Sequence, residues 1–525
     1  LTSMTVNGSI LRDDMLAEAI GESFYRVSSD ITPLNYQPIP VTSVPDSYTI
    51  FPEAVEVLLS RVKERKATGP DEIPNWILKS CSSTLSLPIC SIFNASIRNG
   101  NVPRLWKCAD VLPLSKVAQP KSIENDLRPI SLTAVVSKLL ESFVFNWLAA
   151  IVMPYIDPFQ FGSVKRSSTT HALVHLVHSW LADLETPNTI IRTCLIDFSK
   201  AFDRVDHNIL MYKLSILGVP PVLLNWCSSF LKDRQQRIKM GPYKSTWRRV
   251  IAGVPQGTKL GPLFFLVMVN DLRCEAPLYK YVDDCAITET IRSSPTESSN
   301  LQREIDHINN WSIDNNMKLN AKKTKEFNIS MSHVPHTLPA LVIDEESLEV
   351  VHTAKLLGVH LSADLKWSTH INTICAKASK RLFALRILKR NGAVQKDLRK
   401  VYCSFIRPVL EYACPVWHFS LPAFLSDQIE QIQRRSVKII CPGLSYMDGL
   451  KELDLTALVD RREFLCKRFY VNNFGSLSNI SDLLPKKNVH LYDFRNARNI
   501  PLFKTRTSRF YNSYLPTCVR KWDLY

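Results

Sequence analysis

Two hydrophobic periods divide the chain. Between residues 98 and 360, apolar runs of strand length alternate with helical patterns, the signature of an α/β or α+β domain. CLIDF (194–198) and LYKYV (278–282) are the clearest strands. From about residue 366 the period turns helical and basic, in TICAKASKRLFALRILKR and again in IEQIQRRSVKII. LTALVDRREFLCKRFY (455–470) is a further amphipathic helix. Near the start, MLAEAIGESFYRVS predicts a short amphipathic helix, followed by the proline-rich connector LNYQPIPVTSVPDS. EAVEVLLSRVKERKATGPDEIPNWILKS (53–80) predicts two helices around a turn, with Thr68, Gly69 and Pro70 ending the first and Asp71 capping the second. These patterns divide the chain into segments 1–97, 98–365, 366–470 and 471–525.

Charge narrows the partners. Lys and Arg number 65 against 49 Asp and Glu, a formal net charge of +16. That excess points to a polyanion, nucleic acid first and an anionic membrane surface second. No apolar run reaches the roughly 18 residues of a membrane span. ESFVFNWLAAIVMPYI (141–156) is interrupted by Glu141 and Asn146, and PLFFLVMV (262–269) is too short, so no membrane partner is expected. Thirteen cysteines are scattered with no C-x-x-C, which argues against a zinc knuckle or a disulfide framework and for reduced thiols inside the cell. The chain opens on Leu1 and stops at Tyr525 just after the helix-like RKWDL, as expected of a fragment of a longer product.

The candidate chemistry begins with YVDD, where Asp283 and Asp284 stand side by side in an otherwise apolar run. Buried like charges repel, so either cations neutralise the pair or the strand turns and admits water. An isolated Asp-Asp pair is more often a solvated turn. Here a second acid, Asp197, ends another apolar strand 86 positions earlier (283 − 197), in RTCLIDFSKAFDRVDH. Acids converging from neighbouring strands could hold two Mg²⁺ ions about 3.5–4 Å apart for phosphoryl transfer. In AGVPQGTKLGPLFFLVMVNDL, glycines and prolines build a tight loop before an apolar helix and put Gln256 at its tip. ADVLPLSKVAQPKSIENDLRPISL carries Lys116 and Arg128 on two strands that the pattern pairs, a point charge and a fork suited to a triphosphate. His171, His175 and His178 fall at helical spacing without acid or cysteine partners and form a helix face. Tyr412, Trp417 and His418 could stack on bases, although core packing is their commoner use. Lys377, Lys380, Arg381, Arg386, Lys389 and Arg390 crowd one helix, suited to sequence-blind, salt-sensitive phosphate contacts.

In order along the chain, KATGPDEIPNWILK, LPLSK, LRPISL, LIDFSKAFDRVDHNIL, GVPQGTKLGPLFFLVMVNDL, YVDD, WSIDNNMKLNAKKTKEF and KLLGVHL resemble the motifs of non-LTR (LINE-type) retrotransposon reverse transcriptases, the jockey-like ones most closely. The resemblance runs from about residue 50 to 365 and more loosely to 470. It implies an α+β right-hand polymerase. Fingers and palm, with an antiparallel sheet, would occupy 98–365, a basic helical thumb 366–470, and extensions the rest.

Carried over residue by residue, the resemblance implies that Asp197, Asp283 and Asp284 are catalytic and, with the Phe198 carbonyl, hold two Mg²⁺ (Mn²⁺ being the alternative). Lys116 and Arg128 would grip the dNTP, Gln256 would lie along nucleotide and template, and Phe202 would gate against a 2′-hydroxyl. Lys323 would sit near the leaving pyrophosphate, with Lys322 and Lys325 as rivals. Leu357 and Gly358 would hold the primer end. Asp71-Glu72 stands where the family commonly has Asp-Gly, Leu127 where it has an aromatic, and Val282 where it more often has Ala. The partners implied are an RNA template, a DNA primer or target, and dNTPs, with the oligomeric state open. The implied location is nuclear, at the integration site, after a cytoplasmic ribonucleoprotein stage. Two alternatives remain from the residues: an inactive RNA-binding remnant, and a protein like the maturases of group II introns.

Overall fold

The apolar run TIIRTCLI becomes the strand Thr189–Ile196, with seven of its eight residues buried, as a central strand covered on both faces requires. The computed structural model describes residues 3–6, 9–292, 299–331, 338–474, 480–486 and 500–522, within two compact units. One unit comprises residues 1–157, 198–273 and 307–319; the other comprises 158–197, 274–306 and 320–525.

Thr189–Ile196 is the middle strand of the second unit's five-stranded sheet, ordered Glu349–Val351, Lys325–Ser330, Thr189–Ile196, Asp284–Arg292, Leu278–Tyr281. Every pairing is antiparallel except that of the first two strands. The helix Thr169–Asp183 packs with this sheet, its buried Trp180 donating to Thr288 Oγ1 at 3.0 Å. Arg192 and Glu326 form an ion pair at 2.9 Å that is almost wholly buried. Removing either partner would strand a charge in the interior. The helices of this unit include Ser368–Arg390, Ala423–Ile440 and Leu458–Phe474. In the first of them Ile371, Ile374, Ala378, Leu382 and Leu385 recur at three- and four-residue spacing and are buried, leaving Lys377, Lys380 and Arg386 outside. Trp417 and His418 are buried in the same core, whereas Tyr412 keeps 39% of its surface. His171 and His178 are buried too, and His175 packs edge-on against Phe159, Phe161 and Tyr279.

In the first unit Leu127–Thr133 lies antiparallel to Cys108–Ser115, which runs parallel to Arg234–Met240. Tyr243–Lys244 and Arg248–Val250 both pair with Arg234–Met240. The helix Asp13–Arg26 lays Leu16, Ala17, Ile20 and Phe24 on Val111, Leu127 and Ile238. A small hairpin, Ser3–Val6 with Ser9–Arg12, precedes it and has no clear alternation to announce it. The proline-rich connector has little regular structure. Asn225 instead pins it, accepting from the Ile39 N–H at 2.9 Å and donating to the Ile39 carbonyl at 2.8 Å.

Two expectations need correction. The helix Pro52–Ser60 stops well before Thr68, and the next, Asn75–Ser80, is led by Pro74 and not capped by Asp71. The apolar period ends at Leu59 and Val62, and the charged turn after it is tied down by Asn75, which donates to the Lys63 and Lys66 carbonyls. Second, the helical stretch Val135–Tyr155 is long and apolar enough to cross a membrane by composition. In this unit it is a core helix: Leu140, Val144, Leu148 and Val152 are fully buried, and so is Glu141, which accepts from the Lys259 N–H at 2.7 Å. All thirteen cysteines are unpaired, nine of them buried. The RKWDL stretch is described only to Trp522, with Arg520 and Lys521 ending the helix Tyr514–Lys521; Asp523 and Leu524 lie outside the described residues.

Candidate active site

Asp197 comes directly after the strand Thr189–Ile196, and the strands Leu278–Tyr281 and Asp284–Arg292 turn through Val282 and Asp283. Cys285 lies opposite Ile196 in the ladder, so Asp284 and Asp197 are level, one step beyond the last pair. Asp283 and Asp284 both reach the surface and Asp197 is half-buried. The strand therefore does turn and water does reach the acids. Burial of Asp284, and after it repulsion by Asp283 and Asp197, pushes its pKa up to about 6. An all-oxygen cluster that resists its own ionisation fits a hard divalent cation. Among the described residues no group of three His, Cys, Asp or Glu side chains is placed to hold a metal ion by itself. Substrate phosphates commonly complete such a shell.

Asp197 is clipped at both main-chain groups. Its N–H donates to Thr324 Oγ1 at 3.2 Å and its carbonyl accepts from the Asn320 N–H at 2.8 Å. These two residues bracket NAKKT, and sequence reasoning passed over both in favour of the lysines between them. Lys322 and Lys323 are exposed on that turn, while Lys325 is drawn to Glu349 at 2.5 Å. Leu357 and Gly358 form a tight turn at φ +45° and +86° between Thr353–Leu356 and Val359–Ser362. The Tyr412 hydroxyl lies 2.6 Å from the Leu357 carbonyl, to which it donates, and its ring sits 3.0 Å from where a Gly358 Cβ would stand.

The remaining candidates lie in the first unit. Leu114 pairs with Arg128 and Ser115 with Leu127, so Lys116 and Arg128 share one end of a two-stranded ribbon, both exposed. Lys116 Nζ donates to the Asn125 carbonyl at 3.0 Å. Phe198 is buried, edge-on to Trp311. Phe202 stacks on Phe265 with ring centroids 4.4 Å apart.

The glycine loop crosses the Phe202 segment backbone to backbone. Gly253 donates to the Val205 carbonyl at 2.8 Å and Val254 to that of Phe202 at 2.9 Å. A Cβ on Gly253 would meet the Asp203 carbonyl oxygen at 2.7 Å, and one on Gly257 the Ser131 oxygen at 2.5 Å. Gln256 Nε2 donates to Asp203 Oδ1 at 3.2 Å, and the Gln256 carbonyl accepts from the Ser131 N–H at 2.8 Å. Burial pushes the Asp203 pKa up to about 6, against the pull of Gln256, Lys200 and Lys116. Asp203 went unnoticed in the sequence; the second acid of DFSKAFD was its only signal. A cleft with about 560 Å³ of open space adjoins it, lined by Tyr25, Ser131, Asp203, Gln236, Gly253 and Gln256 among others.

The chain as a whole is similar to several known proteins. Residues 119–361 match the family model described as reverse transcriptase (RNA-dependent DNA polymerase). The relatives it resembles are named as RNA-directed DNA polymerases of mobile elements and transposons. The chain is 26% identical over 467 residues to the RNA-directed DNA polymerase from mobile element jockey of Drosophila melanogaster, covering 83% of this chain and 50% of the relative. It is 28% identical over 428 residues to the probable RNA-directed DNA polymerase from transposon BS of the same species, covering 77% and 46%. The chain thus spans about half the length of the curated relatives it matches. Among solved structures, telomerase from Candida albicans with a TWJ fragment of telomeric RNA aligns over 76% of this chain and 68% of its own, at 13% identity and a TM-score of 0.34.

Proposed function

We propose that this chain is an RNA-directed DNA polymerase that extends a primer 3′-hydroxyl with dNTPs on an RNA template, in target-primed reverse transcription of a non-LTR element. The observation that carries the reading is the level placement of Asp197 and Asp284 at the open ends of paired strands, with Asp283 in the adjoining turn. Two Mg²⁺ ions held there by the three carboxylates, with the Phe198 carbonyl as a further ligand, would supply Lewis-acid stabilisation of the entering and leaving oxygens. The chain's own part is to hold the acids in register, Asn320 and Thr324 fixing Asp197 from behind. Lys116 and Arg128 suit a triphosphate, Gln256 a base or sugar edge, and the Phe202 ring a steric check on the ribose 2′ position. Lys323 is assigned to the leaving pyrophosphate, and the Leu357–Gly358 turn to the primer terminus.

In this reading 98–365 is fingers and palm, 366–470 the thumb, and 1–97 and 471–525 extensions. The basic helix Ser368–Arg390 holds the RNA–DNA duplex by its phosphates. The product forms in the nucleus, at the site of integration. The test is primer extension on poly(rA)·oligo(dT) with dTTP and Mg²⁺, wild type beside Asp283→Ala. Synthesis by the wild type alone is the expected result. Silence from both, with tight RNA binding retained, would replace this reading with that of a remnant which binds RNA without copying it.

A further inference from the structure

The turn that carries Asp283 is held by a residue from elsewhere in the sequence. Residues 159–161 run alongside Leu278–Tyr281: the Phe161 N–H donates to the Lys280 carbonyl at 2.8 Å, and the Lys280 N–H to that of Phe159 at 2.9 Å. Phe159 and Phe161 pack against Tyr279, with ring centroids 5.2 and 6.4 Å away, so side-chain alternation sends Gln160 the other way. Gln160 is 2% exposed. Its Oε1 accepts from the Gly162 N–H at 2.9 Å and from the Val282 N–H at 3.0 Å. Two backbone donors on one atom settle which end of the carboxamide is oxygen. Its Nε2 is buried and finds no partner among the described residues, an arrangement that destabilises a fold. Val282, the residue it holds, stands at φ +63°, a region that a β-branched residue adopts only under constraint. Gly162 completes the grip: a Cβ there would meet Val282 Cγ2 at 2.5 Å and Val282 N at 2.6 Å.

We infer that Gln160, closed down by Gly162, is a positioning residue for the acid hairpin: its carboxamide oxygen fixes the left-handed Val282 and thereby the aim of Asp283 and Asp284. The inference rests on the polymerase reading for its catalytic consequence, but its structural part stands separately. Nothing in the motif order singles out Gln160, since a lone glutamine between two phenylalanines in FQFG carries no chemical signature. Displacement of a reacting group by about 1 Å can slow a reaction on the order of 100-fold, so loss of the clamp should act on turnover and leave duplex binding intact.

The test uses the full chain and three variants. Gln160→Met keeps the length and loses the acceptor, Gln160→Glu keeps the acceptor, and Gly162→Ala pushes on Val282. Hydrogen exchange of the peptide around Val282 is measured beside kcat and KM for dTTP on poly(rA)·oligo(dT), and beside Mn²⁺ binding by calorimetry. Gln160→Met and Gly162→Ala should speed exchange at Val282 at least about tenfold, lower kcat roughly 30-fold and weaken Mn²⁺, with KM for the primer-template within about twofold. Gln160→Glu should stay within about fivefold of wild-type kcat. Unchanged exchange at Val282 in Gln160→Met, or equal damage from Met and Glu, would overturn the inference. If the wild type fails to synthesise DNA, the polymerase reading falls, and the exchange and Mn²⁺ measurements still decide whether Gln160 holds the hairpin.

Discussion

Two tight turns carry candidate chemistry, one in each unit. At Val282 a β-branched residue stands at φ +63°, and a neighbouring amide holds it there. At Gly253 and Gly257 the angles are +81° and +133°, and each glycine lies where a Cβ would strike another backbone oxygen. The first turn is left-handed because something outside it holds it so. The second is left-handed because two chain segments cross with no room between them. A clamped turn can tolerate an ordinary side chain at a cost of about 1–3 kcal/mol. A crossing cannot tolerate even a methyl, because the obstruction is main chain.

The largest effect that separates the two turns is chemical. Asp283→Ala, like Asp197→Ala in the neighbouring strand, should lower primer extension by at least about 10³-fold, roughly 4 kcal/mol of barrier. Near-normal synthesis in either variant would remove the acids from the reaction. Next comes stability. Gly257→Ala should cost roughly 2–4 kcal/mol, read as a lower urea midpoint, because the new methyl meets the Ser131 carbonyl in a strained conformation. Val282→Gly should shift stability by less than about 1 kcal/mol, since relief of left-handed strain offsets the entropy of glycine. Equal losses at the two sites would erase the distinction between them.

A pH effect arises from Asp284, whose folded pKa of about 6 lies above the usual carboxylate value. A raised acid favours the folded state while protonated. Its contribution is complete below about pH 4 and is lost as pH rises through about 6. Without divalent ions, the melting temperature should therefore fall between pH 4.5 and 7 more steeply in wild type than in Asp284→Asn. Mn²⁺ affinity should rise over the same window, because the cation requires the carboxylate. Parallel melting curves for the two proteins would show that the Asp284 carboxyl is not raised in the folded chain. The smallest effect on overall synthesis is expected at Phe202. Phe202→Ala should preserve DNA synthesis and weaken discrimination against rNTPs by at least about tenfold. Unchanged sugar discrimination would dismiss it as the gate.

The same contrast explains what was legible in the sequence. Crossings write themselves into composition, so AGVPQG announced its loop, and an acid pair ending the apolar run LYKYV announced a turn or a bound cation. LPLSK and LRPISL gave away a paired ribbon, with Lys116 and Arg128 at one end. Clamps leave little trace. Gln160 and Thr324 accept with side-chain oxygens from main-chain N–H groups 122 and 127 positions away, and Asn320 donates its own N–H to a carbonyl 123 positions away, so many other residues could have stood there. The early end of Pro52–Ser60 was hidden for a related reason. Charged residues of high helix propensity come after it, but they have no apolar face to bury, and Asn75 takes up their carbonyls. The division into units was equally unreadable, because the chain passes from one to the other between Asp197 and Phe198, inside a single motif.

The buried thiols turn the acid-bearing sheet into its own stopwatch. Cys285 adjoins Asp284 and is buried, its thiol pushed up to about 12 mainly by that burial, so it is inert while the strand stays in place. Cys81 is exposed and reacts at once. A thiol reagent added to the native chain would thus mark Cys81 immediately and reach Cys285 only at the rate at which the sheet opens. Each molecule carries, one residue from its acids, a recorder of how often they lose their register.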